Sequence, residues 1–199
     1  MHRHCALLFL VLAAGLAGAA PASAAPEYSV PPPRPAKSDL LVGSYYFPGH
    51  FSPARWMPFR RSGFPTPLLG YYRDGEPEVM DWHIKWAVEH GISFFAFDWY
   101  YDWRRGASTG HNAALDRGFL RARFRDRMQF TLMWCNEAEG DRDYTEEDML
   151  RLARFLAEHY CNQPDFLRVG GDNVLIFSIP ERIIQAFGPE GTTRVFQRM

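Results

Sequence analysis

Cysteine is scarce in this sequence. The 199-residue chain has three, and one of them, Cys5, precedes an N-terminal apolar run. The other two, Cys135 and Cys161, fall near the end of one expected strand and just past the helix expected after it. That helix is about 24 Å long at 1.5 Å rise per residue, and a disulfide needs Cα atoms within about 7 Å, so two free thiols are expected. Their spacing matches no zinc pattern, and HExxH is missing, so no metal site is expected. Neither GxGxxG nor GxxxxGK[ST] follows any strand, which removes the signature of a nucleotide-binding sheet. An excess of one charge is missing too: 22 basic residues face 23 acidic ones, for a net charge of −1 at pH 7. That excludes a nucleic acid or an anionic membrane held by charge alone.

Aromatic residues are what the chain has in plenty, at 16%, and they are clustered. The chain begins with MHRH, continues with CALLFLVLAAGLAGAA and ends this stretch with PASA. A short positive start, an apolar run and small residues at Ala22 and Ala24 form the pattern of a secretory signal peptide, residues 1–24. The apolar part is too short and too rich in Ala and Gly for a spanning anchor. A secreted or periplasmic location is expected, with no membrane contact after cleavage. Residues 25–38 read as a Pro-stiffened extended leader.

From residue 39 the pattern turns regular. LLVGSYYF (Leu40–Phe47), ISFFAFDWYY (Ile92–Tyr101), MQFTLMWCN (Met128–Asn136) and NVLIFSIP (Asn173–Pro180) read as strands. Helices are expected over the stretches EPEVMDWHIKWAVEHG, His111–Phe124, Thr145–Tyr160 and from ERIIQAFG onward. The Thr145–Tyr160 helix has a Thr cap, acids in its first turn and one apolar face from Met149, Leu152, Phe155 and Leu156. Strands that are near-continuous apolar runs, alternating with helices, describe a parallel sheet covered by helices. The fold class is α/β. Both a (β/α) TIM-type barrel and a doubly wound sheet satisfy that order.

The polar and aromatic residues with chemistry to offer cluster at the C-terminal ends of the strands, where barrel enzymes build their sites. Tyr45 and Tyr46 end the first strand, Asp98, Trp99 and Tyr100 the second, Trp134, Asn136 and Glu137 the third. Flat rings stack on the apolar faces of sugars, and carboxylates run glycoside chemistry in pairs. Asp98 and Glu137 are the candidate carboxylate pair. Asp98 would also serve as a cap for the next loop, and Glu137 as a solvated loop start. Side-chain alternation puts one of Trp99 and Tyr100 under a helix and the other at the site, in an order the sequence leaves open. His50 and His111 sit at loop positions within reach of a ligand or of a capping role.

GSYYFPG, PLLGYY, PEVMDWHIKWAVEHGISFFAFDWYY, LMWCNE and VLIFSIP together resemble the glycoside hydrolase family 99-like proteins, the endo-α-mannosidases and WbsX-type proteins. The likeness runs from about Leu40 to about Arg182. It implies about the first four units of a (β/α)8 barrel in residues 39–199 and action on oligo- or polysaccharides, of mannose type or of bacterial surfaces. It also implies a retaining reaction without metal or cofactor. Tyr45, Tyr46, Asp98, Trp99 and Tyr100 match segments lining the family's sugar cleft. The family's two catalytic glutamates belong to a motif of the second barrel half, which maps to no residue here. Glu137–Ala138–Glu139 stands where relatives carry an aromatic-bearing run. The expected reading is the N-terminal part of a secreted glycoside hydrolase. The alternatives are a non-catalytic carbohydrate-binding remnant, a half-barrel that associates with a second chain through its open sheet edges, or a small enzyme using Asp98 and Glu137.

Overall fold

The computed structural model describes residues 30–103, 106–136 and 144–199. Residues 1–24, expected as a signal peptide, the first five leader residues and Glu137 lie outside the described residues. Four strands form one parallel sheet: β1 (Gly43–Tyr46), β2 (Phe94–Trp99), β3 (Gln129–Trp134) and β4 (Leu175–Phe177). Their order in space is their order in the chain, and every pairing is parallel. A doubly wound sheet reverses its order at a switch point and carries helices on both faces. Here the order never reverses, and one core cluster joins the three longer helices to one face of the sheet. The architecture is four consecutive units of a (β/α) barrel.

Four helices accompany the strands: a short α1 (Met57–Arg61), then α2 (Pro77–Glu89), α3 (Glu146–Leu156) and α4 (Pro180–Arg198). Pro77 opens α2, at a position whose N–H would have no partner anyway. Met80, Ile84, Ala87 and Val88 form its buried stripe. Gly91 ends it at φ 82°, and Ile92 N–H donates back to the Ala87 carbonyl (3.0 Å). The Thr145 cap is present on α3, reciprocated by Asp148 in a capping box. A π turn then carries that helix on to Cys161. Cys135 and Cys161 are free thiols.

Two elements differ from expectation. His111–Phe124 is not one helix. It is a π turn at Ala114–Gly118 and a 3-10 turn at Phe119–Arg121, after which Ala122 is extended. The backbone there is drawn to tertiary partners instead. Asp81 of α2 accepts the Phe124 N–H at 2.9 Å. Gly118 comes so near the Asp74 carbonyl that a Cβ would lie 2.6 Å from it. The fourth strand is shorter than its apolar run, because Arg168–Val169 and Asp172–Asn173 form a separate hairpin. The leader from Val30 onward is docked: Ala36 N–H donates to Val88 O (2.8 Å), Arg34 N–H to Glu89 Oε1 (2.9 Å), and Val30 is buried.

The register assigns each strand residue to a face. Tyr46, Phe97, Leu132 and Leu175 lie in one row across the sheet, and Phe95 and Phe130 in another on the same side. This is the helix side. Phe97, Phe119, Phe130 and Phe166 follow one another there with ring centroids 5.2–5.5 Å apart, in tilted or edge contacts. The opposite side carries Tyr45, Phe94, Ala96, Asp98, Thr131, Met133 and Ile176. Gly43 is required on this face. A Cβ there would fall 2.1 Å from the Phe94 ring that crosses it.

Candidate functional site

Alternation decides the orientation at the end of β2. Phe95 and Phe97 face the helices, so Trp99 does too, and Asp98 between them faces the open side. Trp99 has no exposed surface; its Nε1–H donates to the Tyr160 hydroxyl (3.2 Å), and its ring stacks on Tyr101 at 5.6 Å. Asp98 is half-buried. Tyr100, also half-buried, begins the loop after β2. Its backbone is clamped by Asn112, whose Oδ1 accepts the Tyr100 N–H (3.0 Å) while its Nδ2 donates to the Tyr100 carbonyl (2.9 Å).

Three of the expected ligand contacts are fully buried, and a fourth turns toward the helices. Trp99 and Trp134 are both fully buried on the helix side, where Trp134 meets Phe177 and Tyr144 in ring contacts. Asn136 is also fully buried, and its amide is spent on backbone. Its Nδ2 donates to Ile179 O and its Oδ1 accepts from Ile179 N–H, both at 2.8 Å. It ties the end of β3 to the start of α4. Tyr46 likewise turns to the helix side, with ring contacts to Phe95 and Phe97 and its hydroxyl 2.9 Å from His83 Nδ1. The residues with surface to offer at the C-terminal edge are Tyr45, 68% exposed, with Asp98 and Tyr100.

Behind β1 lies a buried polar cluster that the sequence did not signal. Asp74 is 2% exposed, and its Oδ2 accepts the His50 N–H at 2.5 Å, while Asp74 N–H donates to His50 O (3.2 Å). Burial pushes the Asp74 carboxyl up to about 6, against the lowering effect of the His50 bond. Burial holds His83 down to about 4. Tyr72 packs edge-on to His83, and Trp56 donates its Nε1–H to the Tyr72 carbonyl (2.6 Å). His50 stacks on Trp56 with ring centroids 3.7 Å apart. Asp74 sits in an Arg-Asp-Gly run that reads as an ordinary turn, so its burial could not be seen from its neighbours in sequence.

The first two loops meet in front of this cluster. The Phe51 ring stands edge-on to His111 at 4.8 Å, and His111 lies 4.6 Å from Tyr100. Arg55 lies over Phe51 at 5.2 Å, its Nε–H donating to the Gly49 carbonyl (3.0 Å). His50 and His111 are both held below the usual imidazole range, by burial first and by the Arg55 charge second. This edge of the sheet thus combines the Asp98 carboxylate, imidazoles held below their usual range, flat rings and a guanidinium. Such a set can hold a polar ring-shaped ligand by stacking and hydrogen bonds.

No family model and no curated protein matches the chain. Among solved structures it is similar to the GH99 endo-alpha-mannosidase from Bacteroides thetaiotaomicron. Against the complex of that enzyme with bis-tris-propane, identity is 18%, the TM-score 0.49, and the match covers 75% of this chain and 47% of that one. Against a second structure of the endo-alpha-mannosidase from that organism, identity is 18%, the TM-score 0.41, and coverage 63% and 36%. The chain therefore spans about half the length, or less, of the solved structures it matches.

Proposed function

We propose that this chain is the glycan-binding N-terminal part of a secreted glycoside hydrolase-like protein, with its sugar site at the C-terminal ends of β1 and β2. One observation carries the reading. The open side of the sheet carries the half-buried Asp98, two residues beyond Ala96, the β2 partner of the exposed Tyr45, while Phe97 and Trp99 of β2 pack toward the helices. A carboxylate oxygen accepts a hydrogen bond from a sugar hydroxyl, and an aromatic ring covers the apolar face of a pyranose. The ligand is a mannose-type oligo- or polysaccharide, in keeping with the sequence resemblance. Hydrolysis needs a second placed carboxyl group; Glu137, the partner expected for Asp98, lies outside the described residues. Glycan binding is the activity proposed for this chain.

Calorimetry with α-mannan oligosaccharides tests it. Asp98→Asn should weaken binding by ~1.5–3 kcal/mol, the scale of a charge-assisted hydrogen bond, with nearly unchanged unfolding. A large loss of stability at unchanged affinity would assign Asp98 to capping and remove it from the site.

A further inference from the structure

The loop that follows β1, Pro48–Gly75, carries Arg55, Arg60, Arg61 and Arg73 against one acid, Asp74. The chain as a whole is nearly neutral, so this loop carries a local surplus of positive charge. Asp74 does not offset it at the surface. It is buried, with its carboxyl turned to the His50 N–H, while all four arginines are exposed. A localised field of one sign at a cleft edge attracts ligands of the other sign.

Arg55 is the arginine placed beside the Phe51–His111–Tyr100 rings. Its Nε–H is held by the Gly49 carbonyl, and its guanidinium lies over Phe51, the ring that touches His111 and through it Tyr100. Among the described residues no carboxylate pairs with it, and its two terminal nitrogens donate to none of them. A guanidinium fixed at Nε with both outer nitrogens open is a fork preset for two parallel oxygens. The neighbouring imidazoles, held toward their neutral form, add hydrogen-bonding capacity without adding fixed charge. Tyr100 follows Asp98 by two residues, which sets this corner beside the proposed sugar site.

We infer that this corner is a subsite for an oxyanion substituent on the glycan, a carboxylate or a sulfate, with Arg55 as the recognising group and Phe51, Tyr100 and His111 as its walls. The inference rests on the glycan-binding reading above and narrows its ligand to acidic glycans. The test titrates the whole chain with α-mannan oligosaccharides, with the same oligosaccharides oxidised at C6 to carboxylates, and with their C6 sulfates. The expected result is that at least one acidic form binds roughly 10-fold or more tighter than the neutral form at low salt. The tighter of the two identifies the anion. The preference should shrink as ionic strength rises. Arg55→Gln should bring the acidic ligand down to the affinity of the neutral one, and Arg55→Lys should restore part of the difference. Equal affinities for neutral and acidic forms would overturn this inference and leave the glycan-binding reading standing. So would an Arg55→Gln protein that keeps the full preference. Binding to none of the three would defeat both.

Discussion

The two faces of the sheet use the same strands to different ends. On the helix side every large residue has apolar partners. Trp99, Phe130, Leu132 and Trp134 have no exposed surface, and the polar atom of Trp99 is satisfied by Tyr160. On the open side the same two central strands present Asp98 and Met133, and β1 leaves Tyr45 mostly in solvent. A side chain that is fully packed and fully hydrogen-bonded has nothing left for a ligand. The contrast teaches that adjacent residues of one strand can be read separately, one for stability and the next for chemistry, once the phase of the alternation is known.

The largest effect should come from breaking the helix side. Trp99→Ala removes a fully buried ring and leaves the Tyr160 hydroxyl without its donor. It should cost ~3–5 kcal/mol in urea unfolding.

The next is a pH effect from the cluster behind β1. Asp74 has its pKa raised to about 6, so the folded state holds a proton that the unfolded state has released, and stability falls as pH rises from about 4 to about 6. His83, lowered to about 4, acts in the opposite sense: the unfolded state holds the extra proton, and stability rises between about 4 and 6.5. The two contributions offset each other in the native chain. In Asp74→Asn only the His83 effect remains. Stability should then drop by ~2–3 kcal/mol between pH 6.5 and 4, since a tenfold difference in proton affinity between the folded and unfolded states is worth about 1.4 kcal/mol. The native protein should change little from this pair. Equal pH slopes in both proteins would show that the two groups are not perturbed in this way.

Smaller still is the loss at Asn136. Asn136→Ala removes the paired bonds to Ile179 and should cost ~1–3 kcal/mol, measured by thermal unfolding. Glycan affinity of the folded protein should not change, since the amide is fully buried. A fall in affinity at constant stability would return Asn136 to the site.

Much of the fold was legible from residue types alone. Apolar runs spaced by helical segments set out the four strand–helix units. The Gly91 stop and the Thr145 cap marked helix ends, because left-handed backbone and an open helix terminus each select few residues. The phase of β2 was not legible. Phe94, Phe95 and Phe97 are equally apolar, yet Phe94 lies on the open face over Gly43 and the other two face the helices. That ambiguity carried over to Trp99 and Tyr100. The backbone tie of Asn136 was not legible for a related reason: an amide serves a ligand or a backbone equally well, and its partner Ile179 lies 43 residues away. The broken segment after His111 has helix-forming composition, but Asp81 and the tight approach of Gly118 to Asp74 override it. The Asp74–His83 cluster was missed because only the folded loop brings its members together.

Tyr45 and Tyr46 test the contrast most directly, since they are the same residue type in adjacent positions on opposite faces. Each is changed to Ala, and both unfolding free energy and affinity for mannan oligosaccharides are measured. Tyr45→Ala should leave stability within ~0.5 kcal/mol, as for an exposed residue, and cut affinity by roughly 10-fold. Tyr46→Ala should lose ~3 kcal/mol or more of stability, with affinity of the folded fraction unchanged. The opposite assignment, stability lost at Tyr45 and affinity lost at Tyr46, would contradict the account of the open face as the side that binds.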